Sequence, residues 1–371
     1  MKDSLDTQPL VDTATLKADL AEGWGLPTSF YHDPAIHQID VEAIFRQSWQ
    51  YFCQSERLAS PGNSVVGMAG DIPVVVVRGE DGVLRGFVNM CRHRGYKVAT
   101  KDQENCKRLV CRYHAWSYWL NGDLAHAPGS DDEPGFEKDR LSLKPVQVSE
   151  FGPAIMVNAD IDAPDFYGTH PMLEETVNKL NINLDPDAYS FVRETSHVVA
   201  SNWKVWYDNF VECYHCDNIH RGSFSAAYES DVASADMNFC GTFMSGVFAP
   251  KDGASKTELR ANNYRSLNMF PGLLFLQQDE LMILSQMRPL SAETTEQKVH
   301  YFAERGTDPD RVAQWIALWE QTFSEDGAAV AIQQEGLRTG AIKRNRLMPN
   351  REEAVVFFNG LVLDAYEKHN A

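Results

Sequence analysis

Two short motifs of metal-ligand type constrain this chain more than any other feature of its sequence. Cys91 and His93 form a Cys-x-His pair, and after seventeen further residues Cys111 and His114 form a Cys-x-x-His pair. Glycine and charged residues surround the first pair, as expected for a loop. Because the members of each pair are so close in sequence, both side chains of a pair can reach one centre. The spacing therefore predicts a metal site held by two neighbouring loops.

Two kinds of centre fit two thiolates and two imidazoles. One is a tetrahedral zinc ion, although zinc modules usually place the ligands of a pair two to four residues apart. The other is a two-iron, two-sulfide cluster with cysteines on one iron and histidines on the other, the Rieske arrangement. The second loop, "CRYHAWSYWLNGDL" (111–124), resembles the second ligand loop of Rieske proteins. The spacing of the ligands and the sequence of the second loop together favour the iron–sulfur cluster. Cys106 does not have the Cys-x-x-His spacing to His114, so it is interpreted as a free thiol.

A second group of ligand-type side chains lies about a hundred residues later, in "NWKVWYDNFVECYHCDNIHRG" (202–222). If this stretch is one helix, Glu212 and His215 lie on neighbouring faces, and an irregular turn can bring His220 to the same site. Two histidines with one carboxylate form the facial triad of non-haem Fe(II) oxygenases. Two histidines on an amphipathic helix are, however, more often structural.

The same stretch contains alternatives to this metal site. Cys213 and Cys216 form a Cys-x-x-Cys motif, which is redox-active in a thioredoxin setting, but no β-α-β pattern surrounds it. Asp208 is a second carboxylate, seven residues before His215. The third ligand has to come from elsewhere, and in "SEDGAAVAIQQEGL" (324–337) an acidic pair, Glu325 and Asp326, is predicted to start a helix. An acidic residue there is ordinarily a helix cap.

Hydrophobic periodicity predicts an α+β chain with two domains. Residues 1–45 form an N-terminal helical segment that packs with the second domain. Residues 46–160 contain short strands separated by turn signals, typical of a small antiparallel β domain. Residues 161–371 form a larger domain with an antiparallel sheet flanked by helices.

Composition excludes several classes of protein. A net charge of −18 argues against a nucleic acid or an anionic membrane as partner, and no apolar run approaches the length of a membrane span. The N-terminus has no apolar signal core, which predicts a cytoplasmic location. Seven cysteines fit reduced thiols and metal ligands better than a disulfide framework. The chain also lacks a dinucleotide-binding or P-loop motif, so nucleotide binding by this chain is not supported.

Taken together, the two groups resemble the oxygenase (alpha) subunit of Rieske non-haem iron oxygenases over essentially the whole chain. The resemblance implies one Rieske [2Fe-2S] cluster on the first four ligands, Cys91, His93, Cys111 and His114. It implies a mononuclear Fe(II) on His215, His220 and Asp326, where O2 and a small organic substrate react. It also implies a homotrimer, in which Glu212 bridges His215 to His114 of a neighbouring subunit. Ala115, where the family commonly has Gly, is expected to need no left-handed backbone.

The phrase "NFVECYHC" (209–216) looks like the branch that acts on quaternary ammonium compounds such as carnitine and betaines. The resemblance thus implies a monooxygenase that cleaves a C–N bond, with NAD(P)H used indirectly through a separate flavin and iron–sulfur reductase. Candidates for contact with the ammonium group are Tyr207, Phe210, Phe243 and Phe248, although aromatic side chains of this kind more often belong to the core. The alternatives are an aromatic ring-hydroxylating dioxygenase or O-demethylase, and a Rieske electron carrier.

Overall fold

The computed structural model describes residues 11–229, 237–252, 262–278 and 280–370. Residues 1–10 of the predicted N-terminal segment lie outside the described residues. Contacts divide the chain into two compact units. The first, named here the β unit, comprises Phe45–Val192 and Phe302–Arg305; the second, the α+β unit, comprises Met1–Ile44, Arg193–Tyr301 and Gly306–Ala371. The boundary between the two functional domains, placed at about residue 160 from the sequence, stays a prediction.

The strands are β1 Trp24–Pro27, β2 Gln50–Gln54, β3 Ser64–Ala69, β4 Ile72–Arg78, β5 Leu84–Val88, β6 Leu109–Val110, β7 Ser117–Tyr118, β8 Leu124–His126, β9 Pro145–Phe151, β10 Ala154–Asn158, β11 Tyr189–Val199, β12 Asn238–Cys240, β13 Phe243–Phe248, β14 Tyr264–Met269, β15 Leu273–Gln278, β16 Leu281–Ser291, β17 Thr294–Glu304 and β18 Arg344–Arg346. The helices are α1 Thr13–Ala21, α2 Pro34–Ile39, α3 Phe166–Thr169, α4 Leu173–Lys179, α5 Trp203–Val211, α6 Cys216–Ile219, α7 Phe224–Ala227, α8 Pro309–Arg338 and α9 Glu353–Asn370.

The β unit contains a six-stranded antiparallel sheet in the order β2-β10-β9-β5-β4-β3 and a three-stranded sheet β6-β7-β8. Strand β4 explains how the unit holds two cores. Its four consecutive valines, 74–77, are all fully buried, and alternate members face opposite sides of the sheet. Val75 and Val77 pack in the cluster that also contains Cys91 and Cys111, whereas Val74 and Val76 pack on the other side. The apolar run thus supports the loops that hold the predicted ligands.

The α+β unit contains most of a seven-stranded sheet in the order β11-β17-β16-β15-β14-β13-β12, in which neighbouring strands from β12 to β16 pair antiparallel. Helix α5 packs against α8, α9 and β16. The fold class predicted from the sequence, two antiparallel β-containing parts with helices in the larger one, is confirmed. Within the described residues, no helix has both the length and the apolarity that a membrane crossing requires.

Two predicted helix boundaries are wrong. The stretch 202–220 is not one helix, because α5 ends at Val211 and Glu212 adopts an extended backbone at its C-cap. The late acidic pair does not begin a helix either, because α8 begins at Pro309, where Asp308 caps its first turn. Asp326 therefore lies in the middle of a thirty-residue helix. Both errors concern the ends of the helices on which the iron ligands were predicted.

Candidate metal centres

The first ligand loop is shaped by backbone hydrogen bonds. The amide of Cys91 donates to the carbonyl of Tyr96 at 2.8 Å, and the amide of Gly95 donates back to the carbonyl of Cys91 at 2.9 Å. This closed turn requires a left-handed backbone at Gly95, with φ 73°. Glycine adopts that conformation without steric cost. The sequence therefore fixes the tight loop that presents Cys91 and His93.

The second ligand loop repeats the pattern without a glycine. Cys111 donates to the carbonyl of Trp116 at 2.8 Å, and Ala115 donates to the carbonyl of Cys111 at 3.0 Å. Ala115 has φ 61°, in the left-handed region. The expectation that Ala115 needs no left-handed backbone is therefore wrong. The hydrogen bonds that close the loop hold this residue in the conformation that Gly95 adopts in the first loop, although a Cβ atom makes it costly.

The four predicted cluster ligands separate by burial. Cys91 and Cys111 are buried, whereas His93 and His114 are exposed. The two imidazole rings approach to 4.7 Å between centroids, and Trp116 stacks on His93 at 4.9 Å. The donor set fits a cluster with a buried thiolate iron and an imidazole iron at the protein surface. Tyr113, which precedes His114 in the second loop, is 51% exposed and does not shield the site from water.

Tyr118 contacts the cluster site, and sequence reasoning did not single it out. Its hydroxyl oxygen lies 3.3 Å from Cys91 Sγ and accepts a hydrogen bond from the Arg92 amide at 2.9 Å. Burial raises the pKa of Tyr118, so the hydroxyl stays protonated and can donate to the sulfur.

Cys106 is half-buried against the apolar core that contains Cys91 and Cys111, and its amide donates to the carbonyl of Gly62 at 2.9 Å.

The second centre is formed by three side chains whose donor atoms converge. His215 Nε2 lies 3.2 Å from His220 Nε2. Asp326 Oδ1 lies 2.9 Å from His220 Nε2 and 3.2 Å from His215 Nε2. Asp326 is buried, and within the described residues this oxygen accepts no well-directed hydrogen bond. Metal bonds of roughly 2.1 Å at right angles place neighbouring donor atoms about 3 Å apart, so these residues fit one metal ion.

The backbone brings these three ligands together from two segments. Where α5 ends, a turn places His215 immediately before α6, and His220 follows that helix at its C-cap. Asp326 lies on the buried face of α8, in line with Trp319, Phe323 and Val330. A lone carboxylate in an apolar helical stripe is the sequence signal that identifies Asp326 as more than a surface acid.

Carboxylates orient both histidines through their second ring nitrogen. His215 Nδ1 donates to Glu212 Oε1 at 2.6 Å, and His220 Nδ1 donates to Glu325 Oε2 at 2.9 Å. Each ring therefore turns its Nε2 towards the other ligands, the usual arrangement around a metal-bound histidine. Burial lowers the pKa of His215, but the carboxylates of Asp326 and Glu212 outweigh it and raise that pKa to about 10. The negative charge around the histidines favours a bound cation.

Glu325 is a residue that the sequence analysis named only as a predicted helix start. Besides His220, it accepts hydrogen bonds from Ser223 Oγ at 2.5 Å and from Gln321 Nε2 at 2.9 Å. Asn209 Nδ2 also lies 3.3 Å from His215 Nε2. Asp208, the alternative carboxylate, instead accepts a hydrogen bond from Tyr31 at 3.2 Å, and burial raises its pKa well above the ordinary value.

A pocket opens beside the second centre. The predicted ligands line it together with four aromatic side chains: Phe210, Phe224, Tyr264 and Trp319. Of the aromatic residues proposed from the sequence, only Phe210 is part of this lining within the described chain. Tyr207 packs on Phe358, and Phe248 stacks on Tyr264 with 4.4 Å between the ring centroids. The packing of the sheet determines which aromatic residues line the pocket, and no sequence motif indicates them.

Comparison with known families decides the class of protein. The model for the Rieske [2Fe-2S] domain matches residues 48–146, and the model for the ring-hydroxylating alpha subunit catalytic domain matches residues 186–368. The chain belongs to the Rieske non-haem iron oxygenases. It is an oxygenase subunit, with a Rieske cluster and a catalytic iron as its cofactors, as the resemblance implied.

Similar proteins of this oxygenase family cover nearly the whole chain. The carnitine monooxygenase oxygenase subunit of Escherichia coli (strain K12) is 27% identical, over 94% of this chain and 96% of the relative. The glycine betaine monooxygenase oxygenase subunit of Pseudomonas aeruginosa (strain PAO1) is 26% identical, over 93% and 90%. A crystal structure of the quaternary ammonium Rieske monooxygenase CntA with L-carnitine is similar with a TM-score of 0.80, 25% identity and coverage of 94% and 97%.

Proposed function

We propose that this oxygenase oxidises a quaternary ammonium compound of the carnitine or betaine kind and cleaves its C–N bond. Hydroxylation of the carbon next to nitrogen gives a carbinolamine, which collapses to an amine and an aldehyde. The relatives named for carnitine and glycine betaine support this substrate class. The pocket supports it independently.

The lining of the pocket carries the proposal. Phe210, Phe224, Tyr264 and Trp319 line the pocket, and aromatic rings can hold a trimethylammonium group by cation–π attraction. Among the described lining residues there are carboxylates, Glu212 and Asp326, but neither Lys nor Arg. A cationic headgroup is therefore favoured at this place over an aromatic carboxylate, which would need a positive partner.

We assign the metal ligands as follows. Cys91, His93, Cys111 and His114 hold the [2Fe-2S] cluster, and His215, His220 and Asp326 hold the catalytic Fe(II). That iron supplies the activation of O2 when it is bound. The protein contributes the rest: Glu212 and Glu325 fix the histidine tautomers, and the aromatic lining excludes water from the substrate.

Electrons have to reach the iron pocket from outside the chain. We propose a separate flavin and iron–sulfur reductase that draws on NAD(P)H, and a homotrimer in which His114 of one subunit contacts Glu212 of the next. The exposure of His93 and His114 and the hydrogen bond between Glu212 and His215 support such a bridge. The domain division at residue 160 and the cytoplasmic location stay predictions.

Glu212→Ala tests the bridge. Removal of the carboxylate breaks the contact between subunits while every metal ligand remains, so cluster content should stay within error of the unmodified protein. His215 also loses its orienting acceptor, so Fe(II) is added to saturation and turnover is compared at equal iron content. Turnover with the reductase should fall by at least about a hundredfold. Glu335→Ala, which removes an exposed carboxylate from α8, is the matched control. Coupled turnover at the normal rate in Glu212→Ala would disprove the bridge.

A panel of substrates separates the proposed function from its main rival. The aromatic lining also suits an aromatic ring, the substrate of a ring-hydroxylating dioxygenase or an O-demethylase. Oxygen uptake and product formation should be measured with carnitine, γ-butyrobetaine, glycine betaine, choline, benzoate and a methoxybenzoate. Stoichiometric amine release from a quaternary compound is expected. Oxidation of the aromatic acids alone would establish the rival.

A further inference from the structure

The Cys-x-x-Cys motif beside the catalytic histidines is a pair of touching thiols. Cys213 Sγ and Cys216 Sγ lie 2.6 Å apart, and both cysteines are free. A turn joins them, closed by the Cys216 amide, which donates to the carbonyl of Cys213 at 3.1 Å. Residues at the ends of such a turn have Cα atoms within about 7 Å, a separation that a disulfide can span. The backbone is therefore already compatible with a bond between the two sulfurs.

The thiol pair also lies inside the iron pocket. Cys213 and Cys216 both line it, and Cys216 Sγ is within 4.8 Å of ligand nitrogens of His215 and His220. Cys213 is half-buried and Cys216 is buried, so Cys213 is the more accessible of the two cysteines. No thioredoxin-like pattern surrounds the motif, but the pocket is another redox setting, because an iron held by the proposed ligands would reduce O2 there.

We propose that Cys213 and Cys216 form a reversible redox site that takes hydrogen peroxide from the iron pocket and becomes a disulfide. Peroxide is what an oxygenase releases when it reduces O2 by two electrons without oxidising a substrate. The inference rests on the proposed position of the iron ligands, and it does not depend on the substrate class.

The chemistry balances with peroxide as the oxidant. The Cys213 sulfur attacks one peroxide oxygen, the O–O bond breaks, and a sulfenic acid and one water are formed. The Cys216 sulfur then attacks the sulfenic sulfur, the S–O bond breaks, and a second water leaves as the S–S bond forms. Two thiols lose two electrons and two protons, and one peroxide becomes two waters. A dithiol reductant restores the pair by thiol–disulfide exchange.

The other described cysteines provide internal controls. Cys53 is buried in an apolar core of the β unit, which restricts the access of peroxide to its sulfur, so it should resist oxidation. Cys240 is half-buried on β12, and Cys106 is half-buried in the β unit. Trypsin cleaves after Lys204 and Arg221 and releases residues 205–221 as one peptide, in which Cys213 and Cys216 are the only cysteines. The oxidation state of the pair can therefore be measured separately from that of the other thiols.

To test this, the metal-loaded oxygenase is treated with one equivalent of hydrogen peroxide. The remaining thiols are then blocked with N-ethylmaleimide under denaturing conditions, and the tryptic peptides are analysed by mass spectrometry. We expect peptide 205–221 to lose two hydrogens and take up no maleimide, at least about tenfold faster than Cys240 is oxidised. Dithiothreitol should restore both labelling sites. Because peroxide is added directly, the result does not depend on turnover with any substrate.

Variants complete the test. Cys240→Ser should leave oxidation of peptide 205–221 unchanged. In Cys216→Ser, one equivalent of hydrogen peroxide should convert Cys213 to a sulfenic acid, and a second equivalent should convert it to a sulfinic acid that dithiothreitol does not recover. The proposal is overturned if Cys240 or Cys106 is oxidised before the pair, or if peptide 205–221 of the unmodified protein gains oxygen atoms irreversibly and forms no disulfide.

Discussion

The two metal centres of this oxygenase are built in different ways. The proposed cluster ligands lie on two loops within twenty-four residues, and backbone hydrogen bonds within each loop set their positions. The proposed ligands of the catalytic iron come from a broken helix and from the middle of α8, more than a hundred residues apart. Their orientation depends on neighbouring side chains, Glu212 and Glu325. The cluster site is thus a local structure, whereas the iron site is a product of tertiary packing.

This difference determines how each site should respond to mutation. A local loop tolerates loss of a distant side chain but is sensitive to backbone conformation. A site assembled from side chains should lose metal when one ligand or one orienting carboxylate is removed. The four predictions below test this contrast, from the largest expected effect to the smallest.

Asp326→Ala should have the largest effect. It removes the only carboxylate among the three converging donor atoms, so mononuclear iron should be lost and turnover should fall by at least about a thousandfold. The EPR signal of the reduced cluster should be unchanged, because Asp326 is not among the four proposed cluster ligands. Iron and sulfide analysis with EPR measures both. Loss of the cluster together with the iron would show that the two sites are not independent.

Glu325→Gln should weaken iron binding by about 10- to 100-fold, because the charged acceptor that fixes the His220 tautomer is lost. The affinity is measured by titrating Fe(II) into apoprotein under anaerobic conditions. Glu335→Gln, an exposed residue of the same helix, is the control and should bind iron normally. An affinity unchanged by Glu325→Gln would mean that packing alone positions His220.

The two cluster loops offer a matched pair of backbone variants. Gly95→Ala places a Cβ in a left-handed conformation and should destabilise the first loop by about 1–2 kcal/mol, since its nearest neighbour, Met90 Cε at 3.4 Å, adds only ordinary contact. Ala115→Gly should stabilise the second loop by less than about 1 kcal/mol, because greater freedom of the unfolded chain offsets part of the relief. Both stability changes are measured as the shift in the denaturant concentration at which half of the cluster absorbance is lost. Shifts of the same sign in Gly95→Ala and Ala115→Gly would contradict the proposed role of the left-handed backbone.

Tyr118→Phe should have the smallest effect. It removes the hydroxyl near Cys91 Sγ, and fewer hydrogen bonds to the sulfur should lower the cluster reduction potential by a few tens of millivolts, less than about 1 kcal/mol. Redox titration followed by EPR measures the shift, and iron content should not change. Tyr96→Phe, an exposed tyrosine, is the control. An unchanged potential would show that the hydroxyl does not bond to the sulfur.

The helices that carry the proposed iron ligands differ from those predicted from the sequence. His215 and His220 were expected on one helix, but α5 ends before both. Asp326 was expected at a helix start, but it lies on the buried face of a long helix. Local patterns assign residue types to a site, whereas helix ends depend on caps and packing that a window of sequence does not contain. The left-handed Ala115 escaped prediction for a related reason, since its conformation is imposed by hydrogen bonds that close the loop.

The sequence by itself determined the α+β class, the two ligand loops with their Cys-x-His and Cys-x-x-His spacing, and the family of this oxygenase. These properties are encoded locally, in spacing and alternation that any copy of the segment would show. Only the tertiary structure decided that Asp326 meets His215 and His220, that Glu325 orients His220, that Phe224, Tyr264 and Trp319 line the pocket, and that two thiols touch beside the iron site. Those contacts join segments distant in sequence, or depend on the point where a helix ends, and are set when the sheet and helices pack together.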